Sequence, residues 1–466
     1  MAAPATATIL SDEEKAVFAE LRNEHEKHRS VMIKMDRYYE GVQRLEHIGL
    51  AVPPELRRFE TVVNLPRIAV DEVERRLDVK SLMLPDDQIA NEDLRVGWEY
   101  NDLDAQAPQA HKEAMIFGRS FVTVGSNEED PDQPLMTVES PRHMSVKIDN
   151  RRRQMTAALR QYIDPERKTD SATLYLPNTT IWLTRDNGSR WNVTDRDDHN
   201  IGRVPVVMFL NRQRTGSWFG TSEMHDVLPL TDAIARSLTN LQIAAETHSV
   251  PQKYVLGMTK GDFVDKNGDP IPVWESYFSG IWAHANKDAK VGQFSPSDLK
   301  NFHDTVNHYM ALAAAITGLP VRYMGQQTVN PAAEGAIRAD EARLVKNTER
   351  KQVSFGASWG WSMSLRERFR TGEFPRNGRI RLEWYDAGTP TMAQRSDSIQ
   401  KLSGGTPILS REGAWDELGW SEARKARERQ YFLAQESDPY FQRIQEKEEL
   451  NDPSILRDPV QEPDHA

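Results

Sequence analysis

The sequence predicts an α+β fold. Three patterns carry that reading: amphipathic helical segments at both ends, a run of short β-rich segments between residues 118 and 211, and two long helical segments flanking a small insert. At 466 residues the chain exceeds what one hydrophobic core fills, so two or more packed regions are expected. Eleven tryptophans supply large anchors for burial, which sets the chain apart from a disordered one.

The elements follow in order. Ser11 with Glu14 three residues on forms a capping-box pattern and starts a helix running to about Tyr39; its mostly charged surface predicts an exposed arm. "AVPPELRRF" breaks it, "NLPRIAVDEVERRLDV" starts a second helix, and a third is expected from about Asn91 to Phe117. From Gly118, segments such as "RSFVTVGS", "PLMTVES", "SATLYLP" and "RVPVVMFLN", separated by Gly, Pro, Asn and Asp, predict an antiparallel meander. The Asn-Gly pair in "RDNGSRW" predicts a hairpin between two Trp-bearing strands.

Helices return after residue 220. Val227, Leu230, Ile234, Leu238, Leu241 and Ala245 recur every three or four residues, and Pro251 ends the run. An insert with strand-like pieces follows, to Phe294. Ser295 as N-cap, Pro296 at the first helical position and Asp298 near the dipole then open a second long helix. Its apolar seam is Leu299, Phe302, Val306, Tyr309, Ala313 and Ile316, a narrow stripe suited to helix-helix packing, and Gly318 with Pro320 stops it. After a polar loop, a very long amphipathic helix runs to Phe369, with a bend expected near Gly356 and Gly360. "RIRLEWYDAG" is one returning strand, short helices follow, and a charged, Pro-containing tail is expected to be disordered from about Asp438.

Composition narrows function. With 59 Lys and Arg against 70 Asp and Glu, the formal charge is −11, which argues against holding nucleic acid on a broad basic face. The absence of cysteine removes disulfides, thiolate metal sites and cysteine nucleophiles. No signal peptide is expected at the N-terminus, and the best apolar run, "YMALAAAITGL", is too short to span a bilayer. The sequons at Asn178, Asn187 and Asn192 therefore carry little meaning.

The search for chemistry returns little. No phosphate-binding loop follows Gly257 or Gly261, and no Gly-x-Ser-x-Gly elbow occurs. His25 with His28, and His303 with Asn307, share helix faces but lack a third ligand, so no metal or other cofactor is expected. The acidic runs Asp12, Glu13, Glu14 and Glu128, Glu129, Asp130 read as solvated surface, since hard cations need converging oxygens. Arg151, Arg152 and Arg153 fit either a phosphate contact or a turn between strands. No catalytic constellation emerges, and the chain is not expected to be an enzyme.

The order of elements, with "YYEGVQRL", "GRVPVVMFLNR", "GTSEMHDVLPLTDAIARSLTNLQIAAE", "ITGLPVRYMG" and "NPAAEGAIRADEARLV", resembles the portal proteins of tailed bacteriophages, most closely those of long-tailed actinobacteriophages, over residues of about 30 to 435. The resemblance implies a portal-type fold: N-terminal arm 1–60, α/β wing 61–220, stem helices 221–249 and 295–317 around a small α/β clip 250–294, tunnel loop 318–332, long wing helix and return strand 333–386, helical crown 387–437 and tail 438–466. It also implies a homo-oligomeric ring, usually a dodecamer, at one capsid vertex of the virion, assembled in the bacterial host cytoplasm. Double-stranded DNA would pass through it in packaging and ejection. Its implied partners are the major capsid protein, the terminase large subunit, a head-tail adaptor and a scaffolding protein, with no membrane. In that plan Arg322, Tyr323, Met324, Gln326, Gln327 and Asn330 face DNA from the tunnel loop. Glu223, Asp226, Asp232 and Glu246 form an acidic channel wall that would repel phosphate and keep DNA from sticking. A phage nuclease or motor, and a helical scaffold or adaptor, remain the alternatives.

Overall fold

Ser11 opens the first helix as its spacing predicts: its hydroxyl accepts from the Glu14 amide at 3.2 Å and the Glu14 carboxylate accepts from the Ser11 amide at 2.8 Å. The computed structural model describes residues 9–45, 61–87, 89–163, 169–185, 190–249, 253–257, 290–293, 299–325, 334–388, 390, 392–404, 407–420 and 422–437. They form two compact units, Met1–Gly388 and Thr389–Ala466.

In the first unit, α1 (Asp12–Glu40) leads to α2 (Leu65–Glu74), β1 (Val79–Met83), α3 (Glu92–Tyr100) and α4 (Leu103–Phe117). Strands β2 (Arg119–Gly125), β3 (Leu135–Glu139), β4 (Met144–Asp149), β5 (Gln154–Ile163), β6 (Asp170–Tyr175), β7 (Thr180–Arg185), β8 (Asn192–Asp197) and β9 (Val206–Leu210) follow. Then come α5 (Leu228–Ser249), the antiparallel ribbon of β10 (Lys253–Leu256) and β11 (Lys290–Gln293), α6 (Lys300–Thr317), a 3₁₀ turn (Val321–Met324), α7 (Glu334–Thr371) and β12 (Arg381–Trp384).

The expected meander is there, as a five-stranded antiparallel sheet in the order β4-β5-β6-β7-β8 beside a three-stranded sheet β3-β2-β9. The hairpin expected at "RDNGSRW" pairs Leu183 with Val193 and Thr184 with Asn192, although Asn187 and Gly188 lie outside the described residues. Register sorts the faces. Leu159, Leu174 and Ile181 are mutual partners on one face, buried with Phe18 and Leu21 of α1. Ala158 and Tyr175 are partners on the other face, buried with Phe121, Val204 and Val206.

Two expectations change. The segment read as an exposed arm is bound at both ends: Phe18 and Leu21 sit in the sheet cluster, while Tyr38 and Tyr39 join the main core. Two well-spaced pairs of aromatic or aliphatic residues dock a helix whose remaining surface is mostly charged. The single helix expected over 91–117 is two, because Asp102 adopts φ 50° and Asn101 is committed elsewhere. The buried Asn101 amide donates to Gly97 O at 3.0 Å and Pro134 O at 3.1 Å, and its carbonyl accepts from Met136 N at 2.7 Å, pinning the break to the start of β3. Helix α7 is continuous through Gly356 and Gly360. A Cβ at Gly360 would lie 2.2 Å from Ile380 O, so glycine there admits the returning chain of β12, which pairs with β1.

The main core lies between α7, α4 and the three-stranded sheet. Trp359 is fully buried, with ring centroids 4.9 Å from both Trp98 and Phe209. His111 is buried in this cluster, stacked on Phe355 and accepting from Trp359 Nε1 at 2.8 Å; burial pulls its pKa from 6.5 to about 3, so the ring is neutral.

The second unit holds α8 (Met392–Ser403), α9 (Arg411–Glu417) and α10 (Glu422–Ser437). Trp415, buried, stacks with Trp420 and Phe432, and Arg429 bridges Glu412 at 2.7 Å.

Candidate functional site: the helix pair and the root of its loop

The two helices α5 and α6 pack on one another, with the β10/β11 ribbon at one end and the 3₁₀ turn at the other. The start expected at Ser295, Pro296 and Asp298 lies outside the described residues; α6 is described from Lys300, with Leu299 at its N-cap. Along the expected seam, Val306 and Ala313 are buried, Tyr309 packs against the core, and Leu299 and Phe302 are half-buried. Ile316 departs from the seam, being 49% exposed, while Met310 and Ala314 take its place against the core. A straight helix repeats every 3.6 residues and drifts away from a 3.5-residue stripe, so the last seam position rotates outward.

Where the chain enters α5, four segments are knotted together. Asn211, just past β9, accepts from Thr221 N at 2.9 Å and donates from its own amide to Gly118 O at 2.9 Å. Gly220, with φ +63°, lets this crossing close: a Cβ there would lie 2.1 Å from Gly118 O. Within the knot, Lys351 Nζ donates to Glu223 Oε2 at 2.7 Å and to Asn211 Oδ1 at 2.5 Å. The amides of Asn211 and Asn347 donate to the same carboxylate at 3.0 and 3.1 Å. Burial opposes the charge on Glu223, yet Lys351 and the two amides together hold its carboxyl below the usual range.

This overturns the place of Glu223 on an acidic wall. Its side chain is only 11% exposed, it precedes α5, and its charge is spent on Lys351. The other three carboxylates differ among themselves. Asp226 pairs with Arg212 at 2.8 Å, Asp232 accepts from Tyr38 Oη at 2.8 Å, and Glu246 is exposed on α5. Sequence inspection passed over Lys351, although a signal existed: Leu344, Thr348, Lys351 and Phe355 form one buried stripe, and a lysine on such a stripe calls for a buried carboxylate.

At the other end of α6, Gly318 terminates the helix in the left-handed conformation, and the chain turns through Val321–Met324 before the loop. Arg322 pairs with Asp340 at 3.3 Å and with Glu341, and Tyr323 Oη donates to Glu341 Oε1 at 2.8 Å. Arg76 of the α2–β1 segment closes the cluster: its guanidinium donates to Tyr323 Oη at 3.2 Å, to Glu341 Oε2 at 3.4 Å and to Ala387 O at 2.9 Å. Burial works against the Glu341 anion, but the tyrosine and the two guanidiniums leave its carboxyl below the usual range.

The residues expected to face DNA therefore divide. Arg322 and Tyr323 are bound to α7, and Met324 is 4% exposed and packed in the core, which removes it from a DNA-facing surface. Gln326, Gln327 and Asn330 lie outside the described residues. Sequence spacing gave no sign that Glu341 waits 18 residues beyond Tyr323. Among the described residues there is no cluster of three or more metal-ligating side chains, and no helix is long and apolar enough to cross a membrane.

A pair of long helices bearing a β-ribbon at one end, and at the other a loop rooted on a 38-residue helix that crosses an α/β layer, defines a portal-type subunit of a phage head. The order of these parts agrees with the whole-chain comparison. The chain belongs to the SPP1 Gp6-like phage portal protein family, whose model matches residues 19–450. It is 35% identical over 405 residues to the portal protein of Mycobacterium phage D29, covering 84% of this chain and 83% of that protein. It is also 35% identical over 395 residues to the portal protein of Mycobacterium phage L5, covering 82% and 81% respectively. Among solved structures, a chain of the virion of a native gene transfer agent particle aligns with TM-score 0.47 at 14% identity, covering 84% of this chain and 93% of that one. A chain of the neck of the same kind of particle aligns with TM-score 0.45 at 14% identity, covering 80% and 94%.

Proposed function

We propose that copies of this portal protein close into a ring at one capsid vertex, that double-stranded DNA enters and leaves through its centre, and that the protein does this without an enzymatic step. The observation that carries the reading is the α5–α6 pair, whose end away from the β10/β11 ribbon is tied twice to α7, by Glu223–Lys351 where the chain enters α5 and by Arg322–Glu341 where it leaves α6, so that the root of a would-be channel wall is fixed to one helix. In this reading α5 and α6 are the stems, the segment carried on β10 and β11 is the clip, the sheets with α7 are the wing, and the unit from residue 389 is the crown. The terminase motor and head-tail adaptor dock at the clip, and the shell and scaffolding proteins meet the outer surface.

The DNA-facing part of the loop is Gln326, Gln327 and Asn330, with Arg322 and Tyr323 holding its root. Uncharged amides repeated around a ring offer weak, sequence-blind contacts that do not arrest a moving duplex. Asp226 and Glu246, both exposed, supply the repulsive part of the wall, while Glu223 and Asp232 are held by Lys351 and Tyr38. Negative-stain micrographs of the purified chain, with mass measured in solution, test the reading. Face-on rings with a central pore are expected, and a monomer that hydrolyses ATP or DNA would replace the conduit with an enzyme.

A further inference from the structure

Two sequence features find no role in the conduit: the arginine run at 151–153 and the acidic run at 128–130. The first lies in the β4–β5 turn, where Arg152 and Arg153, with Arg203 from the segment before β9, line a cavity of about 560 Å³. Its other walls are largely apolar, with Met155, Met208 and Trp361 among them. Among the described residues none of the three guanidiniums pairs with a carboxylate; Arg203 instead lies 4.1 Å over the Trp361 ring, and burial pushes its pKa down. Asp149, the one carboxylate on the wall, accepts from the backbone amides of Arg151 and Arg152 at 2.8 and 3.1 Å. An uncompensated, partly desolvated cation is costly, and an incoming anion removes that cost.

The acidic run lies in the turn between β2 and β3, with Asp132 following it. The turn is built rather than loose: Asn127 donates to Gln133 O at 2.9 Å and accepts from Glu129 N at 3.1 Å, and Asp130 accepts from Asp132 N at 3.2 Å. Glu128 and Glu129 make no ion pair among the described residues, while Asp132 lies in the field of Arg370, and no residue of the turn lines the cavity. In the sheet order β3-β2-β9, the turn ends the β2–β3 pair while the cavity borders β9, the opposite outer strand.

We propose that the arginine-lined cavity of one copy receives the acidic β2–β3 turn of the next copy. The proposal rests on the ring reading above and adds to it the contact between neighbouring wings. Donor and acceptor surfaces lie at different places on one chain, which is the head-to-tail arrangement that generates a closed ring. A rigid turn loses little freedom on docking, and the guanidiniums of the cavity suit the carboxylates of Glu128 and Glu129. The apolar walls favour a protein segment over a phosphate backbone, which calls for a broad basic face.

The test uses the full chain and three variants: Arg152→Glu/Arg153→Glu, Glu128→Arg/Glu129→Arg, and all four changes together. Light scattering across protein concentration reads assembly, and circular dichroism reads the fold. Each double reversal is expected to keep the fold and to raise the concentration at half-assembly about tenfold or more, the shift of a single lost contact. The quadruple variant is expected to recover most of that loss, because the sign of both partners is inverted. Wild-type assembly in either double variant overturns the proposal, as does a quadruple variant no better than the doubles. Normal rings that lose binding to a duplex oligonucleotide overturn it in favour of a nucleic-acid site. Failure of the unmodified chain to form rings counts instead against the ring reading itself.

Discussion

Replacing Lys351 with methionine tests the knot at the base of α5 most directly. The change keeps the aliphatic stem but removes the ammonium 2.7 Å from Glu223, leaving a carboxylate only 11% exposed with two neutral amides. Removing one partner of a buried pair costs about 3–5 kcal/mol, and the two remaining amide bonds place this case near 3 kcal/mol. The pH dependence has a defined sign. In the native chain the Glu223 carboxyl lies below its ordinary 4.5, so its contribution is full above that value and is lost as pH falls through the lower folded value. In Lys351→Met the carboxyl moves above 4.5, so protonation in acid relieves the variant and the stability gap narrows as pH drops from 7 toward 4. Urea unfolding followed by tryptophan fluorescence, at matched protein concentration, reads both quantities. Adding Glu223→Gln should recover more than about 1 kcal/mol by removing the stranded charge. A loss under about 1 kcal/mol at pH 7, or a gap that widens in acid, refutes the account of the knot.

Four further outcomes are expected. Neutral His111 contributes stability that is complete above pH 6.5 and falls by about 1.4 kcal/mol per unit as pH drops from there toward 3; His111→Phe should flatten the slope between pH 6 and 5 in the same unfolding assay. Gly360→Ala should cost about 1–3 kcal/mol by pushing Ile380 and β12 off α7, whereas Gly335→Ala, with open space around it, should be neutral or mildly stabilising in thermal melts. Ile316→Asp should leave the monomer's circular dichroism unchanged while Ala313→Asp unfolds it, since only the second puts a charge in the core. Arg322→Ala should cost less than about 1 kcal/mol, because the pair is partly solvated and Arg76 still holds Glu341, yet it should alter packaged genome length measured on pulsed-field gels; unchanged length and particle yield would remove the loop root from the mechanism.

Features set by near neighbours in the chain were legible in the sequence. The Ser11 capping box, the β7–β8 hairpin, the antiparallel meander and the extent of α7 each follow from spacing or turn chemistry within a few residues. Features set by distant partners were not. Nothing near Glu223 marks it as buried; that depends on Lys351, 128 positions away, and on Gly220 passing over Gly118. The same holds for Asp102, where the helix breaks because Asn101 answers to β3, and for β1, whose partner β12 lies some 300 residues on. The seam of α6 was nearly right because five of its six positions are buried or half-buried, and it failed at Ile316, where drift had accumulated.

The way α1 is fastened has a mechanical consequence. Phe18 and Leu21 clamp one part of the rod to the five-stranded sheet, and Tyr38 clasps Asp232 on α5 some 17 residues later, about 26 Å along a stiff axis. A tilt of α5 that drew Tyr38 with it would swing α1 about its anchor on the sheet, and about 10° over a rod that long amounts to about 4–5 Å. Tyr38 thus couples the helix pair to the five-stranded sheet through a single hydroxyl and one rod.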